Sequence, residues 1–261
     1  MTLRSEPNHA PPLPPVTAPI GSVERTLERS LESNGVEING AEMNGFAHKA
    51  APTEREQQIK EYYRKTENYD WTNAVDRFIG PETLFHRARC QQVMRLIKRV
   101  AVSGRYLDVG CGTALMTRRL PPHTVGLDLN PRNLAKARKY APQASFLICD
   151  AEGQIPLASS SFDLAVCTEM LEHLLYPERA LAEIRRVLKP GGLLIGSVPG
   201  RSVIWKLRWM SRSKGAFVEE PYHKHYRREE VRQLISQHFS LEQLYSKHWQ
   251  MNWFFAGRKA R

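Results

Sequence analysis

Residues 107–113 read Leu-Asp-Val-Gly-Cys-Gly-Thr. The run Tyr106–Val109 predicts a short buried strand, and Gly110 and Gly112 predict a tight turn after it. Glycine adopts backbone angles that other residues avoid, and it leaves room for a ligand against the main chain. A helix over roughly Ala114–Leu120 is expected next. This strand, glycine turn and helix indicate a nucleotide-binding loop in an α/β protein, or, if no ligand is involved, a plain tight turn.

An acidic residue ends the next apolar run. Asp128 closes the predicted strand Thr124–Asp128, 20 residues after Asp108. A carboxylate in this position can accept hydrogen bonds from both hydroxyls of a ribose. Ala114 and Leu115 stand where the third glycine of a dinucleotide fingerprint would fall, which disfavours a nicotinamide dinucleotide.

Strand and helix signals then alternate along the chain. Further strands are predicted at Ser145–Cys149, Leu164–Thr168 and Leu193–Val198, and further helices from Pro131, capped by Asn130, and over Arg179–Leu188. Alternation of this kind predicts an α/β fold with a doubly wound, mostly parallel Rossmann-like sheet and helices on both faces. Ligands of such sheets lie beyond the carboxyl ends of the strands.

The two ends of the chain have a different character. Six prolines in the first 19 positions predict that residues 1–50 form a tail without stable structure. Residues 51–261 form the predicted domain, in which 51–103 supply lid and packing helices and 104–200 the core. One helix is expected to start after an N-cap at Thr53, and a second helix is expected to cover Glu82–Val102. After the core, a helix Arg228–Gln237 and strands Ser240–Ser246 and Trp249–Ala256 are predicted.

The order of these motifs resembles the class I S-adenosylmethionine-dependent methyltransferases, in particular the small-molecule branch that contains the ubiquinone and menaquinone methyltransferases. The motifs that carry the resemblance are the glycine loop, Asp128, Asp150-Ala151-Glu152, Ser161-Phe162-Asp163 and Lys189-Pro190-Gly191-Gly192. The resemblance is close over about 105–200 and looser elsewhere. It implies a seven-stranded sheet whose last strand inserts antiparallel, and S-adenosyl-L-methionine as the methyl donor.

The resemblance also implies which residues bind the donor. The expected set is Asp108, Gly110, Cys111, Gly112, Asp128, Leu129, Asp150, Ala151 and Thr168. Asp128 is expected to bind the ribose, Asp150 the adenine amino group, and the glycine loop the methionine part. Read without the resemblance, Asp128 and Asp150 are also ordinary helix-cap or turn residues.

A second group of residues offers acid–base or metal chemistry. If residues 169–173 were helical, Glu169, Glu172 and His173 would share one face and could bind a divalent cation such as Mg²⁺. The same stretch resembles that of the ubiquinone-pathway O-methyltransferases, for which a metal requirement is known. His173, His223 and His225 are the candidate bases for a hydroxyl acceptor. The alternative is that these side chains only start a helix or pack on the core.

Charge and composition limit the partners. The net charge is +11, and residues 199–261 contribute 13 basic against five acidic side chains. Within 201–227, the expected acceptor lid, Arg201–Lys214 interleaves basic residues with two tryptophans, which suits peripheral membrane contact. RNA is an alternative partner for the basic surface, but no motif of RNA base methylation is found. A non-catalytic protein with a methyltransferase fold is a third possibility.

The remaining signals indicate a cytoplasmic location. The four cysteines have no metal-ligand spacing, no apolar run reaches the length of a membrane span, and no signal-peptide pattern opens the chain. The sequence therefore predicts a methyltransferase for a small, lipophilic or aromatic acceptor, with transfer to oxygen as the expected reaction.

Overall fold

The computed structural model describes residues 52–66, 70–78, 82–202, 220–247 and 250–261. Its strands are β1 (Tyr106–Val109), β2 (Val125–Asp128), β3 (Ser145–Ile148), β4 (Phe162–Thr168), β5 (Leu188–Pro199), β6 (Ser240–Lys247) and β7 (Asn252–Arg258). Its α-helices are α1 (Glu54–Lys65), α2 (Trp71–Arg77), α3 (Glu82–Val100), α4 (Pro131–Tyr140), α5 (Pro177–Val187) and α6 (Arg228–Ser236).

The strands form a seven-stranded sheet in the order β3-β2-β1-β4-β5-β7-β6. Pairs among β1 to β5 are parallel, and β7 runs antiparallel between β5 and β6. The doubly wound sheet and the antiparallel insertion expected from the resemblance are thereby confirmed. Large apolar clusters lie against the sheet; one includes the buried face of α5, and another includes that of α3.

The register of the sheet places the predicted site residues side by side at the carboxyl ends of the parallel strands. Val109 pairs with Leu127 of β2 on one side and with Cys167 of β4 on the other. The next residue of each strand or loop is therefore Gly110, Asp128 or Thr168. Because parallel strands end at the same edge, the glycine loop and the acid of β2 lie side by side.

The helix predicted over Ala114–Leu120 is not formed. The glycine loop continues as turns and ends in one turn of 3₁₀ helix, Thr117–Arg119. Ala114 has φ +66°, which is incompatible with an α-helix, and the Thr117 hydroxyl donates to Asp108 at 2.6 Å. The hydrogen bond from Thr117 to the buried Asp108 carboxylate holds this segment in a 3₁₀ turn, which is tighter than an α-helix.

Other predictions of element ends need smaller corrections. The helix at the N-terminal side of the glycine loop ends at Val100 rather than Val102, since Ala101 adopts φ +47°. The last strand begins at Asn252; Trp249, where it was predicted to start, lies outside the described residues. The short helix α2 was not predicted, although Asp70 caps it by accepting from the Asn73 amide at 3.0 Å.

Caps at two other helix starts follow the sequence prediction. The Thr53 hydroxyl accepts from the Glu56 amide at the start of α1, and the Asn130 side chain accepts from the Arg132 amide at the start of α4. The tail 1–50 and nearly all of Arg201–Lys214 lie outside the described residues. Within the described part of the chain, no helix is long and apolar enough to cross a bilayer.

The middle of the sheet leaves no room for a side chain at one position of β5. A Cβ at Gly196 would fall far inside contact distance of the Cys167 carbonyl oxygen and of the Phe255 ring, which is fully buried. We expect Gly196→Ala to lower the free energy of unfolding by about 2–4 kcal/mol, because backbone and buried ring must both shift. Chemical denaturation measures this, and a loss below about 0.5 kcal/mol would contradict the packing.

Candidate functional site

The glycine loop is built by backbone hydrogen bonds to the end of β2. The amides of Gly110 and Cys111 both donate to the Leu127 carbonyl, each at 2.8 Å. Gly110 has φ +73°, and a Cβ there would overlap the Met170 side chain. Gly112 has φ +52°, but a Cβ there would meet no heavy atom within 4 Å. The loop is therefore packed on one side at Gly110 and faces open space at Gly112, as a ligand-binding loop requires.

Asp128 connects this loop to the start of α4. One carboxylate oxygen accepts from the Gly112 amide at 2.9 Å. The other accepts from the Asn130 amide at 2.9 Å and from the Asn133 side chain at 3.2 Å. Since each carboxylate oxygen can accept about two hydrogen bonds, the oxygen that bonds Gly112 retains capacity for a further donor such as a hydroxyl.

Asp108 is a second carboxylate close to the loop and is 1% exposed. Burial raises its pKa to about 7, the Thr117 hydroxyl acts in the opposite direction, and the Asp128 charge raises it further. Burial also raises the pKa of Asp128. Two neighbouring buried acids with raised pKa values favour a cationic ligand, because a positive charge would stabilise both ionised forms. The sulfonium and ammonium groups of S-adenosylmethionine meet this requirement.

Asp150 follows β3 and lies beside helix α1. It accepts from Lys60 at 2.8 Å through one oxygen and from the Glu152 amide at 3.0 Å through the other. Lys60 also contacts Glu56 at 2.8 Å and Glu152 at 3.4 Å. The residue that the resemblance assigns to adenine is thus partly exposed and joined to α1 by an ion pair.

The other expected donor-binding residues fall into two groups. Leu129, Ala151 and Thr168 are half-buried at the carboxyl edge, where their backbone or side chains can face a ligand. The Cys111 side chain instead packs in a core cluster with Leu134 and Phe146. Only the backbone of Cys111 can therefore contact the donor.

Helix α1 crosses this edge from the donor residues to a second cluster. The Asn130 amide side chain donates to the carbonyl oxygens of Tyr63 and Thr66, at 2.9 and 2.8 Å, and so holds the end of α1 beside Asp128. One turn after Lys60, the Tyr63 hydroxyl lies 3.0 Å from Nδ1 of His173 and donates to the Tyr222 carbonyl at 2.7 Å. A single helix therefore touches both halves of the candidate site.

The second cluster contains Glu172, His173 and His223. One ligand atom from each lies within 4.8 Å of the others, a spacing that suits a shared cation. Glu172 is 1% exposed, and its Oε2 has no hydrogen-bond partner among the described residues. Burial raises the pKa of Glu172, and the charge of Glu169 raises it further. A buried carboxylate oxygen without a partner is costly, and a cation would relieve that cost.

The ring of His173 is oriented through Nδ1. Because Tyr63 donates its only hydroxyl proton to the Tyr222 carbonyl, it accepts from Nδ1 of His173. The Glu220 carboxylate lies 3.2 Å from the same nitrogen. Both neighbours place a proton on Nδ1, so Nε2 is the nitrogen left to bind a metal or accept a proton.

Glu169 is not part of this cluster, contrary to the sequence prediction. Residues 169–173 do not form an α-helix: Glu169 has φ +51°, and the 3₁₀ turn starts at Leu171. The Glu169 carboxylate turns toward the sheet, where Arg89 contacts it at 3.1 Å, Ser197 at 2.8 Å and Asn252 at 2.9 Å. These partners hold its carboxylate beside Arg89, Ser197 and Asn252, and the ligand atoms that come together are those of Glu172, His173 and His223.

The two remaining histidines, His223 and His225, both have lowered pKa values. Burial lowers the pKa of His223 to about 4, and the nearby His173 lowers it further, so His223 is neutral at physiological pH. The His225 ring lies beside the His223 ring, with centroids 4.8 Å apart and the ring planes tilted by 58°. Burial lowers the pKa of His225 as well. A neutral imidazole is the form that binds metals or accepts protons.

Sequence reasoning did not find Lys60, Tyr63 or Glu220. Lys60 and Tyr63 were counted as helix residues, although their spacing of three places them on one face of α1. Glu220 lies next to Glu219 and close to His223 and His225 in the sequence, but no pattern in that stretch shows which side chain would reach His173.

Comparison with known proteins finds similarity to methyltransferases. Residues 107–196 match a family model described as methyltransferase domain. Over 125 residues, the chain is 34% identical to a ubiquinone biosynthesis O-methyltransferase of Cereibacter sphaeroides, covering 41% of this chain and 50% of the relative. A Xylella fastidiosa protein of the same name is 33% identical over 132 residues, covering 48% of this chain and 54% of the relative. The chain thus spans about half the length of the curated relatives it matches.

Solved structures show the same fold. The N-methyltransferase NodS of Bradyrhizobium japonicum, solved with S-adenosyl-L-homocysteine, has a TM-score of 0.57 and 18% sequence identity, covering 80% of this chain and all of that one. The predicted resemblance to class I S-adenosylmethionine-dependent methyltransferases is confirmed, and so is the Rossmann-like α/β fold.

The raised pKa of Asp108 leads to a pH-dependent prediction. Its pKa of about 7 lies above the ordinary 3.8, so the folded state binds more protons between these values and ionisation of Asp108 costs stability as the pH rises. Asp108→Asn should therefore raise the melting temperature at pH 8 by on the order of 4–8 °C, equivalent to about 2 kcal/mol. The gain should shrink toward pH 5, where Asp108 is already protonated. Thermal scans at both values test this, and an equal effect at both would contradict it.

Proposed function

We propose that this protein is an S-adenosyl-L-methionine-dependent methyltransferase that methylates an oxygen of a small, lipophilic or aromatic acceptor. The observation that carries the proposal is the open space at the α-carbon of Gly112, beside the hydrogen bond that joins the Gly112 amide to the Asp128 carboxylate. The matched methyltransferase domain and the O-methyltransferase relatives support the reaction class and the acceptor class. The proposal covers the full chain, including the parts that lie outside the matched methyltransferase domain.

The residues present fit the donor. The Asp128 oxygen that bonds the Gly112 amide has capacity for a ribose hydroxyl, and Asp150 can receive the adenine amino group once Lys60 shares or releases it. Asp108 and Asp128 stabilise the positive charge of the methionine part. The donor supplies an activated methyl group, so the protein mainly has to align the acceptor and exclude water.

Deprotonation of the acceptor requires a group beside its hydroxyl. With no cation bound, Nε2 of His173 is suited to this role, because Tyr63 and Glu220 occupy Nδ1. His223 is neutral and lies in the same cluster, with ring centroids 5.1 Å from His173. The lid helix α1 touches the cluster and the donor residues together, so its closure would exclude water from both.

A divalent cation such as Mg²⁺ is a further part of the proposal. Glu172, His173 and His223 would hold it, and it would supply Lewis-acid polarisation of a phenol or catechol oxygen. The orphaned Oε2 of Glu172 supports this site. The donor set with two imidazoles also suits a divalent metal that prefers nitrogen ligands, such as Zn²⁺.

A cytoplasmic location and peripheral membrane contact through Arg201–Lys214 remain proposals that rest on the sequence. A lipophilic acceptor would be reached most directly at a membrane surface. Apart from its first two residues, that segment lies outside the described residues, so its support is the pattern of basic and tryptophan side chains alone.

The donor proposal is tested by calorimetry with S-adenosylmethionine and with its demethylated product. Asp128→Ala should weaken binding of both by about 1.5–3 kcal/mol, because it removes a charged hydrogen-bond acceptor. Asp76→Ala is the control; its carboxylate pairs with Arg118 at 2.6 Å on the surface. Equal effects of the two changes, or no binding by the parent protein, would refute the proposal.

The acceptor class is tested by incubating the protein with isotopically labelled donor, a panel of catechols and phenols, and cell extract. Mass spectrometry should find the label on an oxygen of a small aromatic or lipophilic molecule. Label found only on nucleic acid would replace the proposal by the RNA alternative.

The cation proposal predicts which carboxylate matters. Binding of Mn²⁺, measured by calorimetry, should weaken at least tenfold in Glu172→Gln and in His223→Asn. Glu169→Gln, which removes the neighbouring acid that faces Arg89, should change it less than twofold. A larger loss in Glu169→Gln than in Glu172→Gln would favour the ligand set predicted from the sequence.

A further inference from the structure

A stripe of polar and basic side chains runs along α3. Gln92, Arg95 and Arg99 follow one another at spacings of three and four residues, so they lie on one face of the helix. Arg95 and Arg99 are exposed, while Val93, Leu96 and Ile97 are buried against the sheet. Arg99 lies in the last turn, where the helix dipole favours a cation, but Arg95 lies before that turn.

The stripe faces the end of the edge strand β6 across a pocket of about 460 Å³. The pocket is lined by Gln92, Arg95, Arg99, Tyr245, Ser246 and Lys247. Tyr245 stacks on Phe254 with ring centroids 5.6 Å apart, and it packs against the same core cluster as the buried face of α3. The packing of Tyr245 therefore fixes one side of the pocket, and Arg95, Arg99 and Lys247 line the rest of it.

The positive charge of this pocket is not balanced by its lining. None of the six lining residues is acidic, and no ion pair found in the described part of the chain involves Arg95, Arg99 or Lys247. Two arginines one turn apart repel each other, and a third cation across the same concave surface adds to that repulsion. An anion bound between them would be attracted by all three.

The pocket is separate from the candidate methyl-transfer site. Strand β6 is one edge of the sheet, whereas Asp128 and Asp150 follow β2 and β3 at the other side. A ligand in this pocket would therefore not occupy the donor site. The basic excess noted at the C-terminal part of the sequence contributes Lys247 to it.

We propose that the pocket between α3 and β6 is a second binding site, for a phosphate-bearing anion. A tetrahedral phosphate presents oxygens in several directions, so it can contact guanidinium groups from α3 and the Lys247 ammonium from β6 together. Gln92, Ser246 and Tyr245 supply neutral donors. The volume lies within the range of small-ligand sites. The phosphate belongs to a free phosphorylated compound or to a lipid headgroup.

The experiment compares two double variants of the full chain. The double variant Arg95→Gln with Arg99→Gln removes both positive charges of the α3 stripe. Arg228→Gln with Arg232→Gln is the matched control, because it removes two arginines at the same spacing from the surface of α6, where both contact Glu229. One arm titrates inorganic pyrophosphate by calorimetry. The other sediments the proteins with vesicles of phosphatidylglycerol or of phosphatidylcholine.

The proposal expects the pocket variant to lose at least tenfold in affinity in one arm, and the control less than twofold. Loss in the pyrophosphate arm assigns the site to free phosphates; loss confined to phosphatidylglycerol vesicles assigns it to headgroups. No binding by the parent in either arm, or equal loss in both variants, overturns the proposal. Donor affinity should stay unchanged in both variants, so failure here is distinguishable from failure of the proposed function.

Discussion

The candidate site depends on the hydrogen bonds that Asp128 makes at the end of β2. Its carboxylate accepts from the Gly112 amide in the loop after β1 and from the Asn130 amide at the start of α4. These bonds fix the loop and the helix start relative to each other without using the open face of Gly112. The cost is a buried carboxylate beside Asp108, and the raised pKa values of both acids record that cost. The protein alone stabilises the negative charges of Asp108 and Asp128 only in part, so a cationic ligand would stabilise them further.

Helix α1 extends this arrangement to the cluster of Glu172, His173 and His223. Asn130 holds its end, Lys60 joins it to Asp150, and Tyr63 joins it to His173. Displacing the helix would break its contacts with Asp150 and with His173 together. A ligand that displaced Lys60 from Asp150 would therefore act on the same helix that contacts His173. The basic pocket beside β6 stands outside this coupling.

The sequence was sufficient to predict the parts of the molecule that depend on local pattern. The strand that ends at Val109, the cap at Asn130 and the carboxyl-edge position of Asp128 follow from apolar runs, cap residues and the logic of parallel sheets. What failed depended on single contacts. The bond from Thr117 to Asp108 and the positive φ of Ala114 replaced a helix by a 3₁₀ turn. The partners of Glu169 come from three distant segments, so no spacing within 169–173 could show that it turns away from Glu172.

The most direct test of the central claim is a crystal structure of the protein with S-adenosyl-L-homocysteine. The account predicts the ribose hydroxyls within hydrogen-bond distance of Asp128, the methionine part against Gly110 and Gly112, and the adenine beside Asp150. The sulfur should face the cluster of Glu172, His173 and His223. A ligand bound elsewhere, or in this cleft with the ribose away from Asp128, would contradict the account.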